Sequence, residues 1–133
     1  MTRYIRLTLA FCGVTLIACV GYLAWSFTYG VEAEPLPFSS LAWKEAANVY
    51  AHSADPGCVR GGMALDIIAS KRLQDMSMTE VKSLLGEPDG IRQGQLLYEL
   101  GQCSGFGWHS SILRVGFLEN QTVAEVAILR HER

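Results

Sequence analysis

The 25 positions from Leu7 to Val31 carry no charged side chain, whereas about 20 apolar residues suffice to cross a bilayer as a helix. A run of this length cannot be buried in a chain of 133 residues, because the hundred or so that remain form only a small core. Residues 7–31 therefore read as a transmembrane anchor. Arg3 and Arg6 precede the run and Glu32 and Glu34 come after it. That asymmetry predicts a cytoplasmic N-terminus, residues 1–6, and an exported remainder, with Tyr22, Trp25 and Tyr29 at the outer interface. Two other fates compete. Leu16-Ile17-Ala18-Cys19 fits the pattern in which a small residue precedes a cysteine that becomes lipidated, so Cys19 is a possible lipidation site. Ordinary cleavage is the third. The run stays apolar from Val20 to Phe27, where a lipidated chain turns to a polar tether, and this favours the uncleaved anchor. All three fates export the rest of the chain.

The exported part holds nine basic and thirteen acidic residues, a mild acidity that argues against nucleic acid as a partner. Residues 32–40, E-A-E-P-L-P-F-S-S, contain two prolines and predict a stiff, extended linker that acts as a spacer. Residues 41–133 form the exported domain.

Within it, Ser77 to Gly90 (S-M-T-E-V-K-S-L-L-G-E-P-D-G) is the strongest local signal. Ser77 and Glu80 have capping-box spacing, Val81, Leu84 and Leu85 form one apolar stripe, and Gly86 followed by Pro88 closes the helix in a left-handed cap. Two further helices are expected. One runs from Leu41 to His52 on Trp43, Ala46, Ala47 and Tyr50, with Ser40 as its cap. The other runs from about Met63 to Arg72 with Met63, Ala64, Ile67 and Ile68 inward. Alternation then replaces helical spacing: Leu96, Tyr98 and Leu100; Leu113, Val115 and Phe117; Ala124, Val126 and Ile128 predict three half-buried strands. Glu119-Asn120-Gln121 makes the last two an antiparallel hairpin. The fold class is α+β, read as helix-helix-strand-strand-strand with the helices on one face of a three-stranded antiparallel sheet.

Met78-Thr79-Glu80-Val81 with Leu84-Leu85-Gly86-Glu87-Pro88, the strand at Leu97-Tyr98, Leu113-Arg114-Val115-Gly116-Phe117 and Val123 with Val126-Ala127-Ile128 together resemble the SmpA/OmlA (BamE-like) domain family over roughly Met63 to His131. The resemblance implies a two-helix, three-strand fold, a bacterial extracytoplasmic location and binding rather than catalysis. It assigns a role to no individual residue. With a transmembrane anchor, the expected place is the bacterial inner membrane, single-pass, with the C-terminal domain in the periplasm; a lipoprotein is the alternative.

Cys58 and Cys103 are the two cysteines of the exported part. In an oxidising compartment an isolated pair is most simply a structural disulfide, with two unpaired buried thiols, or a redox pair, as the competing readings. Gly101 to Trp108 reads as a hairpin connection after the first strand, or as a binding loop offering Phe106, Trp108 and His109. Cys103 and His109 as nucleophile and base give a thiol-dependent or hydrolytic enzyme as an alternative, although no third group orients them. A structural accessory subunit of an inner-membrane complex is another, since Ala10, Gly13, Ala18 and Gly21 allow close helix approach. His52, His109 and His131 are too scattered for zinc, and Asp66 reads as a solvated helix position. The expectation is a membrane-anchored binding module that contacts another envelope protein, with no catalytic residue, cofactor or metal.

Overall fold

A computed structural model of the chain describes residues 2–28, 33–52, 57–104 and 109–130. Helix α1, Thr2–Thr28, starts before the uncharged run because Arg3 and Arg6 continue it outward. Its 22-residue stretch Tyr4–Trp25 is apolar and unburied by the rest of the protein. By length and composition this stretch is able to cross a membrane, a property that signal sequences share.

The domain begins with a docked lead-in. Residues 34–39 are non-helical, as two prolines dictate, yet they are no free spacer. The Leu36 N–H donates to the Gly62 carbonyl (3.1 Å), and the Phe38 N–H donates to Asp66 Oδ2 (3.0 Å). The Phe38 ring meets Trp43 at 6.0 Å and lies under the Arg72 guanidinium at 5.3 Å. Asp66, expected to be solvated, is therefore an anchor point for the lead-in, and Arg72 pairs with it at 3.6 Å.

The helices are α2, Ser40–His52, α3, Gly61–Ala69, and α4, Met78–Leu85. Among the described residues three helices rather than two thus accompany the sheet. The α3 helix stops short of the expected Arg72: Lys71 adopts φ 51°, and the reversal carries Leu73 into the core at 1% exposure. The capping box at α4 is complete. Ser77 Oγ accepts from the Glu80 N–H, and the Glu80 carboxylate accepts from the Ser77 N–H. At the other end Gly86 has φ 85° and ψ −173°. This is an extended backbone of positive φ, not the left-handed helical cap that the sequence suggested. The last carbonyls of α4 are satisfied from α2, through Ser40 Oγ to Leu84 O and Lys44 Nζ to Ser83 O.

The strands are β1, Gly90–Arg92, β2, Gln95–Ser104, β3, His109–Phe117, and β4, Val123–Arg130. They form one antiparallel sheet in the order β1-β2-β3-β4. Among the described residues the expected three strands are four, because Gln93 (φ 51°) and Gly94 (φ 76°) make a two-residue turn with both φ positive, which reverses the chain tightly. With Ile91 as its one apolar side chain, β1 offers no alternation to read. Strand β4 also departs from the expected parity. Gly116 pairs with Glu125 and Phe117 with Val123, so Ala124 is bulged out. The inward set is Val123, Val126 and Ile128, and Ala124 is exposed.

One core joins the layers: Trp43, Ala64, Ile67, Leu73, Val81 and Leu85 from the helical side meet Leu96, Tyr98, Leu100, Leu113 and Val115 from the sheet. Trp43 is fully buried, as its helical spacing predicts. The side chain of Tyr50 lies outside the described residues.

Candidate functional site

The two ends of the sheet differ in chemistry. At one end, where β2 finishes and β3 begins, Cys58 and Cys103 form a disulfide across 45 positions. Cys103 lies inside β2, not in a loop after the first strand. Backbone bonds flank the bridge: the Arg60 N–H donates to Leu100 O (3.1 Å) and the Gln102 N–H to Gly57 O (3.0 Å). Gly61 packs so closely that a Cβ there would stand 2.3 Å from Cys58 Sγ and 2.8 Å from Cys103 Sγ, which explains a glycine inside the first turn of α3.

Arg60 is the electrostatic centre of the domain and was not singled out by the sequence. It is 2% exposed. Its Nε donates to Trp43 O (3.0 Å), and Nη1 donates to both Asp89 Oδ2 (3.0 Å) and Glu99 O (3.1 Å). Its Cζ sits 4.9 Å from the Trp43 ring. Asp89 Oδ2 also accepts from the Glu99 N–H at 2.8 Å. Next to this cluster Tyr98 donates its hydroxyl to Gly86 O (3.1 Å) and meets Trp43 edge to face at 6.2 Å. Burial raises the Tyr98 pKa above its ordinary value. The Glu87 and Asp89 carboxylates push the same way and Arg60 opposes them. This network fixes the corner between α2, α3 and β2; it is a buried scaffold rather than an open site.

The opposite end carries a groove of about 430 Å³ between α3 and β4, lined by Ile67, Ile68, Leu73, Leu118, Val123 and Val126 among others. Ile68, expected inward, is 37% exposed and forms part of this wall. Beside the groove, Ser77 bridges Thr122, with the Val123 N–H donating to Met76 O (2.9 Å) and the Met78 N–H to Gln121 O (3.2 Å). The chain reaches the β4 edge only at Met76, after turning at Asp75 (φ 62°). Backbone pairing along that edge is thus started and not continued by the described residues.

The residues singled out from the sequence are dispersed. Cys19 is exposed on α1 with its thiol unpaired. Phe106 and Trp108 lie outside the described residues, as do His131 and Tyr29. His109 opens β3, and its Nδ1 stands 3.0 Å from Arg130 Nη2. The Cys103 sulfur is bonded to Cys58, so the thiol that a Cys103 and His109 nucleophile pair requires is not present as a free group. Among the described residues no cluster of three or more His, Cys, Asp or Glu has the arrangement of a metal site.

Among the described residues, fold and ends together define an α+β domain, three helices laid on an antiparallel meander and tied by the Cys58–Cys103 disulfide, preceded in the chain by an apolar N-terminal helix. The chain matches no family model, no curated protein and no solved structure.

Proposed function

We propose that the protein is a membrane-anchored binding module whose domain lies outside the cytoplasm, in the periplasm of a bacterial inner membrane, and contacts another envelope protein. The observation that carries this is the Cys58–Cys103 bridge in a chain led by the Tyr4–Trp25 apolar stretch. Disulfides persist where the compartment is oxidising, and an uncleaved apolar helix with basic residues before it delivers a domain there. The SmpA/OmlA resemblance rests on the Met78–Pro88 and strand motifs and points the same way. The contact surface in this reading is the β4 edge with its groove. An extended segment of the partner continues, along Glu125 to Arg130, the antiparallel pairing that Met76–Met78 begins.

Two measurements test the reading. The intact mass of protein purified from membranes is expected to equal the full chain less two protons; a chain starting at a lipid-modified Cys19, or one with free Cys58 and Cys103, overturns it. A photoreactive residue at the exposed Ala124 is expected to give one discrete protein adduct in intact membranes. That adduct should be lost on Val126→Lys and absent from the same probe at Ile91. No adduct at Ala124, or equal adducts at both positions, removes the β4 edge as the contact surface.

A further inference from the structure

Four residues, Tyr29 to Glu32, join the end of α1 to the first described residue of the domain. Ala33 is already seated against the disulfide: its Cβ would lie 3.4 Å from a Cβ on Gly61, beside Cys58 Sγ and Cys103 Sγ. The next residues run along α3 away from the bridge, with Leu36 on Gly62 and Phe38 on Asp66. The prolines of the lead-in thus add nothing to the reach of the tether. Fully extended, the five steps from Thr28 to Ala33 span at most about 18 Å. Trp25 closes the apolar stretch, and three further residues of helix rise only about 4.5 Å, which stays within a headgroup layer of about 5–8 Å.

We infer that the disulfide end of the domain rests on the headgroup layer of the bilayer that holds α1. The inference rests on the anchored reading proposed for the chain. The end that faces the bilayer is built from Gly57–Cys58, Gln102–Ser104, the start of β3 and the end of β4, since Ser104 pairs with His109 and Ser111 with Arg130. The Arg130 guanidinium, which also contacts the His109 ring, stands there, a group suited to lipid phosphates. The ten residues of β2 extend about 30 Å from this end. The α3–β4 groove and the Leu118–Thr122 turn lie at the far end, turned to the aqueous compartment. A partner for the groove is therefore a water-exposed polypeptide rather than a neighbouring transmembrane helix.

The test uses the full chain in nanodiscs with phosphatidylglycerol, Cys12 and Cys19 replaced by serine, and a nitroxide on Ser110→Cys at the near end or Glu119→Cys at the far end. Collision with a water-soluble nickel chelate is expected to be several-fold lower at position 110 than at 119. Inserting about ten Gly-Ser residues between Gly30 and Val31, which adds a coil of roughly 18 Å, is expected to restore access at 110 and leave 119 unchanged. Equal access at 110 with and without the insertion overturns the inference while α1 remains in the bilayer. Failure of the chain to co-elute with nanodiscs overturns the anchored reading as well, so the two failures are told apart by the elution alone.

Discussion

Removing the Arg60 guanidinium takes a hydrogen-bond donor from three acceptors at once, the Trp43 and Glu99 carbonyls and the Asp89 carboxylate, of which Asp89 keeps the Glu99 N–H. Acceptors buried without a donor cost about 1–3 kcal/mol each, and Asp89, 31% exposed, recovers part of its hydration. Arg60→Met should therefore lower unfolding free energy by about 3 kcal/mol in urea titration. Asp89→Asn keeps a side-chain acceptor for Arg60 and should cost less than half of that. Tyr98 sets the alkaline limit. Its pKa is raised in the folded protein, so the folded state holds its proton at pH values where the unfolded chain releases it. That contribution is complete below about pH 10, the ordinary tyrosine value, and is lost as pH rises beyond it. Unfolding free energy measured from about pH 8 to 11 should fall above about pH 10 in the native protein. The loss should be shallower in Tyr98→Phe, which starts about 1 kcal/mol lower for want of the bond to Gly86.

At the scale of elements, α4 is held by its two ends. Ser77→Ala should cost about 1 kcal/mol by loss of the cap. Gly86→Ala forces a Cβ onto a backbone region that is essentially confined to glycine and should cost about 1–3 kcal/mol; thermal melts of both variants check the pair. The Glu80 carboxyl is held below its ordinary pKa of 4.5 by the Ser77 N–H and hydroxyl. Its share of the cap is present above that ordinary value and is lost as pH falls through the lowered one. The helix could be read from sequence because cap, stripe and stop all fall within a dozen or so residues and rest on local chemistry. Strands β2 and β3 were legible for the same reason, through Leu96-Tyr98-Leu100 and Leu113-Val115. What escaped was set elsewhere. Strand β1 exists because a turn folds three nearly polar residues against β2. The Ala124 bulge changes which face of β4 points inward, and no local pattern announces it. Arg60 carries the commonest mark of a surface residue, a positive charge, and only the convergence of three distant carbonyl and carboxylate groups puts it inside. The groove escaped for a related cause: Ile68 has the spacing of a core residue, but α3 ends too early to cover it.

For the whole molecule, the Cys58–Cys103 bridge closes the loop that contains α3, α4, β1 and most of β2. A closed loop of this length contributes about 4 kcal/mol in the chain-entropy account. Cys58→Ser with Cys103→Ser should lower stability by about that amount in denaturant titration, and the native protein should show the same loss under dithiothreitol. The two borders of the sheet are unequal as well: three residues at β1 against eight at β4. A meander with a single long border has one place where another strand can be added, and once that place is filled the growing direction is used up. Two copies meeting border to border would complete a finite eight-stranded pair, related by a two-fold axis, and could not propagate into a fibre. Among the described residues sheet-mediated self-association therefore has a built-in ceiling of two, and any other strand added at β4 competes directly for that border.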